Sequence, residues 1–331
     1  QIFINKPMKC AVNSHLGNEH KDNNLICSTS QQKTVLVVGA GPSGMEAARL
    51  LALKGHKVEV WEKEKDLGGT VRVAALAYEP NGKLINYLAN SLKELGVKTV
   101  LNKLATPDSI KDFNPDHVFI ASGAKRIAPK FIGKDLNNVF DGEQLRGLLF
   151  GSDKNAIKKL SYYQQIILWF GRMSQLLRSI DALRFLSKIW MPISKKIVII
   201  GGDLVGLELA EFLVERGRSV VVLEPGPSLG ENLSIVRRSR VIHMLKEHGV
   251  EILSNASIKE ITSYGVSYNH AELDHIVDAD QVIIAMGANS NLSLANSIED
   301  LNIKVTSIGD CKEVGYIHGA IADARDAVIS F

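Results

Sequence analysis

Two glycine-rich turns about 160 residues apart carry the residue types that could seat an anion. Val35-Leu36-Val37-Val38 runs into Gly39-Ala40-Gly41-Pro42-Ser43-Gly44 and on into Met45-Glu46-Ala47-Ala48. Ile197-Val198-Ile199-Ile200 runs into Gly201-Gly202-Asp203-Leu204-Val205-Gly206 and on into Leu207-Glu208. Each turn has a strand-like run before it and a helix-like run after it. At such a junction the first helical N–H groups lack partners and the positive end of the macrodipole faces out, which suits a pyrophosphate. Glycine at Gly41 lets the backbone approach without a Cβ in the way. Glu62 follows Gly44 by eighteen residues, and Glu224 follows Gly206 by eighteen. A carboxylate at that strand end accepts hydrogen bonds from an adenosine ribose, and disfavours the 2′-phosphate of NADP. One such turn binds one nucleotide, whereas two can pass a hydride between two.

Further glycines suggest which nucleotides. Gly68-Gly69 before Thr70, Ser122-Gly123 after a strand, and Gly309-Asp310 ahead of a helix-like 317–328 fit a flavin's extended path. Taken singly each is equally an ordinary turn; in this order they favour FAD in the first site. The second site is then expected to take NADH, with NADPH disfavoured by Glu224, and Gly287 closes its far-side strand. That site has a defect. Asp203 stands where the glycine nearest the pyrophosphate belongs. Two charges at ~4 Å in an effective dielectric of about 20 repel by about 4 kcal/mol unless relieved.

These turns need strands and helices to hold them. The first turn lies in a pattern of strand 35–38, helix 43–54 and strand 57–61, followed by a helix at 83–95 and strands at 97–101 and 117–121. The pattern repeats as strand 197–200, helix 205–216, strand 219–223, helix 232–248 and strand-like runs ending at 281–285. Alternating strands and helices predict α/β architecture with parallel, doubly wound sheets. Two Rossmann-like dinucleotide-binding domains are expected, in a glutathione-reductase-like flavoprotein plan with the second inserted into the first. The expected divisions are a lead-in at 1–33, an FAD domain at 34–145 and 290–331, an insertion at 146–194 and an NAD(P) domain at 195–289. The insertion stands out: residues 146–196 hold ten Lys and Arg against two Asp, with Leu176, Leu177, Ile180, Leu183, Phe185, Leu186, Ile189 and Trp190 at helical spacing.

A chain of 331 residues, 45% hydrophobic, can bury two cores. Its net charge of +3 gives no reason to expect nucleic acid. No apolar run reaches the ~20 residues of a spanning helix. Cys10, Cys27 and Cys311 are scattered and odd in number, which suits a reducing cytoplasm rather than a disulfide framework. The start at Gln1, with nothing folded-looking before Val35, reads as a piece of something longer.

Quoted together, Lys6-Pro7-Met8-Lys9-Cys10-Ala11-Val12-Asn13, Gly39–Ala48, Trp61-Glu62-Lys63, Leu67-Gly68-Gly69, Gly206–Phe212 and Ile308-Gly309-Asp310-Cys311 carry a family resemblance. The chain resembles the C-terminal half of the NADH:flavin oxidoreductases related to old yellow enzyme, a family that includes 2,4-dienoyl-CoA reductase, 2-enoate reductase and trimethylamine dehydrogenase. The resemblance implies an FMN-carrying barrel and a four-cysteine [4Fe–4S] cluster upstream, for which Cys10 matches the last ligand. A cubane needs four thiolates, so this chain cannot build it alone. The implied activity is hydride transfer from NADH to FAD and onward electron flow to cluster and barrel, for enoate or dienoyl-CoA reduction. No side chain need act as acid or base in that transfer, so no catalytic residue is expected. Two other readings stand beside it: a nucleotide-holding scaffold with a dead nicotinamide site, as in trimethylamine dehydrogenase, and a membrane-surface or partner-docking module built on the insertion.

Overall fold

The computed structural model describes residues 10–19, 31–173 and 179–331. Cys27, Lys6–Lys9, Leu176 and Leu177, all singled out above, lie outside the described residues. The first stretch runs β1 (Thr34–Val38), α1 (Pro42–Leu53), β2 (Lys57–Trp61), α2 (Val71–Ala77), α3 (Pro80–Glu94), β3 (Lys98–Val100), α4 (Pro107–Phe113) and β4 (His117–Ile120). The middle begins with β5 (Lys125–Arg126), β6 (Val139–Asp141), α5 (Gly142–Leu149), α6 (Lys154–Lys158), α7 (Tyr162–Met173) and α8 (Ile180–Ile189). It continues with β7 (Lys196–Ile200), α9 (Leu204–Val214), β8 (Ser219–Leu223), α10 (Ile235–Glu247) and β9 (Glu251–Leu253). Three antiparallel strands follow, β10 (Ser257–Thr262), β11 (Gly265–His270) and β12 (Leu273–Asp278), and then β13 (Gln281–Ile284). The chain closes with β14 (Ala288–Asn289), α11 (Ser293–Ser297), β15 (Lys304–Ser307) and α12 (Tyr316–Ile329).

Two compact units result: the chain leaves the first briefly at Leu76–Tyr78 and again after 125, and returns to it at 288. The first holds a parallel sheet ordered β15-β4-β1-β2-β3. Because β2 and β4 flank β1, the strand order reverses at β1, and ligands of such sheets bind beyond the carboxyl ends at that reversal. Val35 and Val37 point into a core with Met45, Ala48, Leu51, Leu88 and Val328. Leu36 and Val38 point the opposite way, among Trp61, Ile110, Val118, Ile120 and Cys311. A strand buried on both faces has to be apolar throughout, which is why β1 does not alternate.

The second unit repeats the plan, with the order β6-β13-β7-β8-β9. Ile197 and Ile199 pack with Leu207, Ala210, Leu213 and Leu245, while Val198 and Ile200 pack with Ile261, Val266 and Tyr268 of the antiparallel strands. Full burial of each such side chain contributes about 1.5–3 kcal/mol.

The expected domain boundary at 145 falls at 125 in the structure. Residues 126–145 belong to the second unit because β6 pairs with β13, Val139 opposite Val282. Three residues are too few to show a period, so that edge strand left no signal in the sequence. Helix α4 was also missed, although Thr106 accepts a hydrogen bond from the Ser109 amide at 3.2 Å in a capping box that the sequence displays.

Candidate functional site

In the first unit β1 delivers the chain into the turn with Gly39 at φ +101°, where its N–H donates to the Trp61 carbonyl at 2.8 Å. A Cβ on Gly44 would land on the carbonyl oxygen of Gly39, so this glycine is demanded by the turn's own backbone. Gly41 differs. Its φ of −73° is ordinary, and an added Cβ would meet nothing within 4 Å. Nothing among the described residues needs glycine there, which is what a reserved space looks like. Gly41 caps α1 without any side-chain hydrogen bond, and Pro42 follows it. The caps at α4, α5, α6, α8 and α10, by contrast, are closed by Thr106, Asp141, Asp153, Ser179 and Ser234.

Glu62 is buried, and its carboxylate accepts the Ala40 amide at 2.7 Å and the Glu64 amide at 2.9 Å. Two bonds leave lone pairs on an ionised carboxylate for further donors. Gly68, at φ +108°, donates to the Ala40 carbonyl at 2.8 Å, and a Cβ on Gly69 would stand 3.2 Å from the Gly41 Cα. The 62–70 loop therefore closes against the turn, with exposed Thr70 at the start of α2. The Ser43 hydroxyl is buried and has no hydrogen-bond partner among the described residues. A Cβ on Gly309 would stand 2.7 Å from that oxygen, so Gly309, at φ +68°, comes from the far end of the unit to the same place. An unpartnered buried hydroxyl, an open Gly41 and an open Gly123 (φ +78°) fit a polar cofactor here. Ser122 is exposed at the end of β4, and Asp310 accepts the Gly315 amide at 3.0 Å.

The second turn repeats this construction bond for bond. Gly201, at φ +114°, donates to Leu223 at 2.8 Å, and a Cβ on Gly206 would strike the Gly201 carbonyl. Glu224 accepts the Gly202 and Gly226 amides, each at 2.6 Å. Gly230 donates to the Gly202 carbonyl at 2.8 Å, as Gly68 does to Ala40. Gly230 was not among the expected residues, yet it follows Glu224 by six positions, as Gly68 follows Glu62. That spacing was the available signal. Gly287, expected at this site, lies against Ile127, and a Cβ there would strike that residue's carbonyl.

Asp203 occupies the place of Gly41. It caps α9 without bonding the helix's own amides. Its carboxylate is held instead by Asn232, whose backbone N–H donates at 3.1 Å and side-chain amide at 2.5 Å. On α9, burial raises the Glu208 pKa while Arg237 opposes that shift from 3.7 Å.

The cysteines separate by environment. Cys311 is fully buried, its thiol donates to Ile120 at 3.0 Å, and burial raises its pKa. Cys10 is half-buried and its sulfur accepts the Val12 and Asn13 amides at 3.4 Å. Its segment is tied down by Ser14, which donates to buried Glu46 at 2.9 Å, itself paired with Arg49. Among the described residues no three His, Cys, Asp or Glu side chains gather as a metal site.

Both units have the Rossmann-like, dinucleotide-binding type of fold, and sequence comparison agrees. Residues 33–313 match the pyridine nucleotide-disulphide oxidoreductase family, and the chain belongs to it. It is 30% identical over 310 residues to the bilirubin reductase of Mediterraneibacter gnavus, covering 93% of this chain and 42% of that protein. It is 26% identical over 328 residues to the NADH oxidase of Thermoanaerobacter brockii, covering 97% of this chain and 44% of that protein. A solved 2-naphthoyl-CoA reductase, in complex with 2-naphthoyl-CoA, superposes with a TM-score of 0.82 at 31% identity, over 100% of this chain and 44% of that one. The chain thus spans less than half the length of these relatives.

Proposed function

We propose that this chain takes hydride from NADH onto FAD and passes the electrons to a [4Fe–4S] cluster and an FMN barrel that reduces a conjugated, enoate- or acyl-CoA-type substrate. One observation carries the reading: the same set of backbone bonds, from Gly39, Gly68 and Glu62 and again from Gly201, Gly230 and Glu224, is built twice. FAD supplies the chemistry, taking electrons as a pair and releasing them singly. The chain's residues bind and orient. The uncapped α1 terminus, open Gly41 and the Ser43 hydroxyl take the FAD pyrophosphate, and Glu62 takes its ribose; Gly68, Gly69, Thr70, Ser122, Gly123, Gly309 and Asp310 line its path. Gly201, Gly202, Gly206 and Glu224 hold NADH, Glu224 disfavouring NADPH by charge. Cys10 offers one thiolate to the cluster, the other three coming from the FMN/iron–sulfur portion, whether a domain or a subunit.

The names of two relatives support the reading, one an NADH oxidase and one a reductase carrying an aromatic acyl-CoA. The hold of Asn232 on Asp203 favours a working nicotinamide site over the scaffold reading. Anaerobic addition of NADH to the FAD-loaded protein should bleach the oxidised flavin band. FAD that stays oxidised under both NADH and NADPH would establish the scaffold instead.

A further inference from the structure

Nucleotide chemistry leaves the insertion unused, and within it α7 is built inside out. Leu168 is its buried residue, and Gln164 and Gln165 are half-buried. Tyr162, Tyr163, Trp169, Phe170 and Met173 are 79, 59, 55, 61 and 67% exposed, and Ile166 and Ile167 are exposed with them. At about 100° per residue these seven side chains fall within one arc of roughly 160°. α8 adds Phe185 and Ile189, 66 and 71% exposed. The four aromatic side chains of α7, about 200 Å² each and exposed to this degree, put on the order of 500 Å² of ring surface in water. That alone is the size of the largest apolar patch on an ordinary monomer.

We propose that this face docks the protein on an anionic phospholipid bilayer, with α7 lying in the plane of the interface. Charge selects the partner. Lys154, Lys158, Arg172, Lys188, Lys195 and Lys196 are exposed around α6, α7 and α8, whereas the two acids are committed. Asp153 caps α6, and Asp181 pairs with Arg184 at 3.0 Å. Lysine is depleted from protein–protein interfaces but attracted to anionic headgroups, so a lysine-rich segment favours lipid over a second protein. Tyr and Trp are also the residues that settle at the water–lipid boundary. Twelve residues are too few to span a bilayer, and among the described residues no helix is long and apolar enough to cross one. A short amphipathic helix with basic neighbours in the chain lies on the surface instead.

The test is co-sedimentation of the full chain, loaded with FAD, with vesicles of phosphatidylcholine alone and of phosphatidylcholine mixed with phosphatidylglycerol. Binding is expected to the anionic vesicles alone and to weaken as salt rises. Replacing Lys154, Lys158 and Lys188 by Gln together should weaken it by more than about tenfold. Trp169→Ser combined with Phe170→Ser should abolish it while flavin content and melting temperature stay unchanged, because both side chains are solvent-exposed. Absence of binding to either vesicle, or equal binding to both, overturns the proposal. So does concentration-dependent self-association that the Trp169→Ser, Phe170→Ser pair removes without any vesicle binding, since the face would then belong to a second copy.

Discussion

Replacing Asp203 tests the second site where its sequence departs most from the first. Held by Asn232, the carboxylate is turned aside but keeps its charge. Doubling the ~4 Å separation and the effective dielectric of about 20 would leave a repulsion of ~1 kcal/mol. Asp203→Gly should therefore tighten NADH about fivefold, and not by the nearly three decades that the ~4 kcal/mol of an unrelieved contact implies. Asn232→Ala keeps the backbone N–H bond but removes the side-chain amide, and so frees one carboxylate oxygen to swing back toward the nucleotide. It should weaken NADH about tenfold where Asp203 is present and less than about twofold in the Asp203→Gly background, a coupling that a double-mutant cycle isolates. The assay is the NADH-concentration dependence of anaerobic flavin bleaching. Equal effects of Asn232→Ala in both backgrounds would refute the reasoning, because the restraint would then have no bearing on the charge.

Three further outcomes are expected. Gly41→Ala should fold and melt as the parent does yet lose FAD, while Gly44→Ala, whose Cβ lands on the Gly39 carbonyl, should lose about 1–3 kcal/mol in denaturant unfolding. Glu62→Gln sets an amide nitrogen against the N–H of Ala40 or Glu64, leaving a buried donor unpaired, and should cost about 1–3 kcal/mol by the same measurement. His117 donates to or accepts from Thr306 at 2.8 Å, and burial, with Lys33 and Lys304 nearby, lowers its pKa from 6.5 to about 4. Its folded form is neutral, so between those values the unfolded chain binds the extra proton. The stabilisation is complete above about 6.5 and fades as pH falls towards 4, by up to about 3 kcal/mol, a slope that His117→Gln should flatten.

Most of the sheet plan was legible because β1 and β7 are buried on both faces and must be apolar throughout, while α1 and α9 follow glycine turns that allow no other continuation. The ends of the sheets were less so. β6 is three residues long and is defined by pairing with β13, a partner some 140 positions away that local pattern cannot name. In the insertion, the helical spacing read over 180–190 is α8, whose Leu183 and Ile180 pack inward. α7 carries its apolar residues outward, which only packing can decide.

At the site, the glycine motif conceals two different reasons for glycine. Gly44 and Gly206 are fixed by the carbonyls of Gly39 and Gly201, so they report on how a helix leaves a strand and would be required in a turn that bound nothing. Gly41 has no such constraint, and its open side is the position that bears on a ligand. Sequence gives all of them the same letter. The acceptable exception follows from the same distinction. Asp203 could replace the glycine of the second turn because nothing in the fold depended on that position, provided a loop residue 29 positions on could hold its carboxylate. A glycine lost at Gly206 would have had no such remedy.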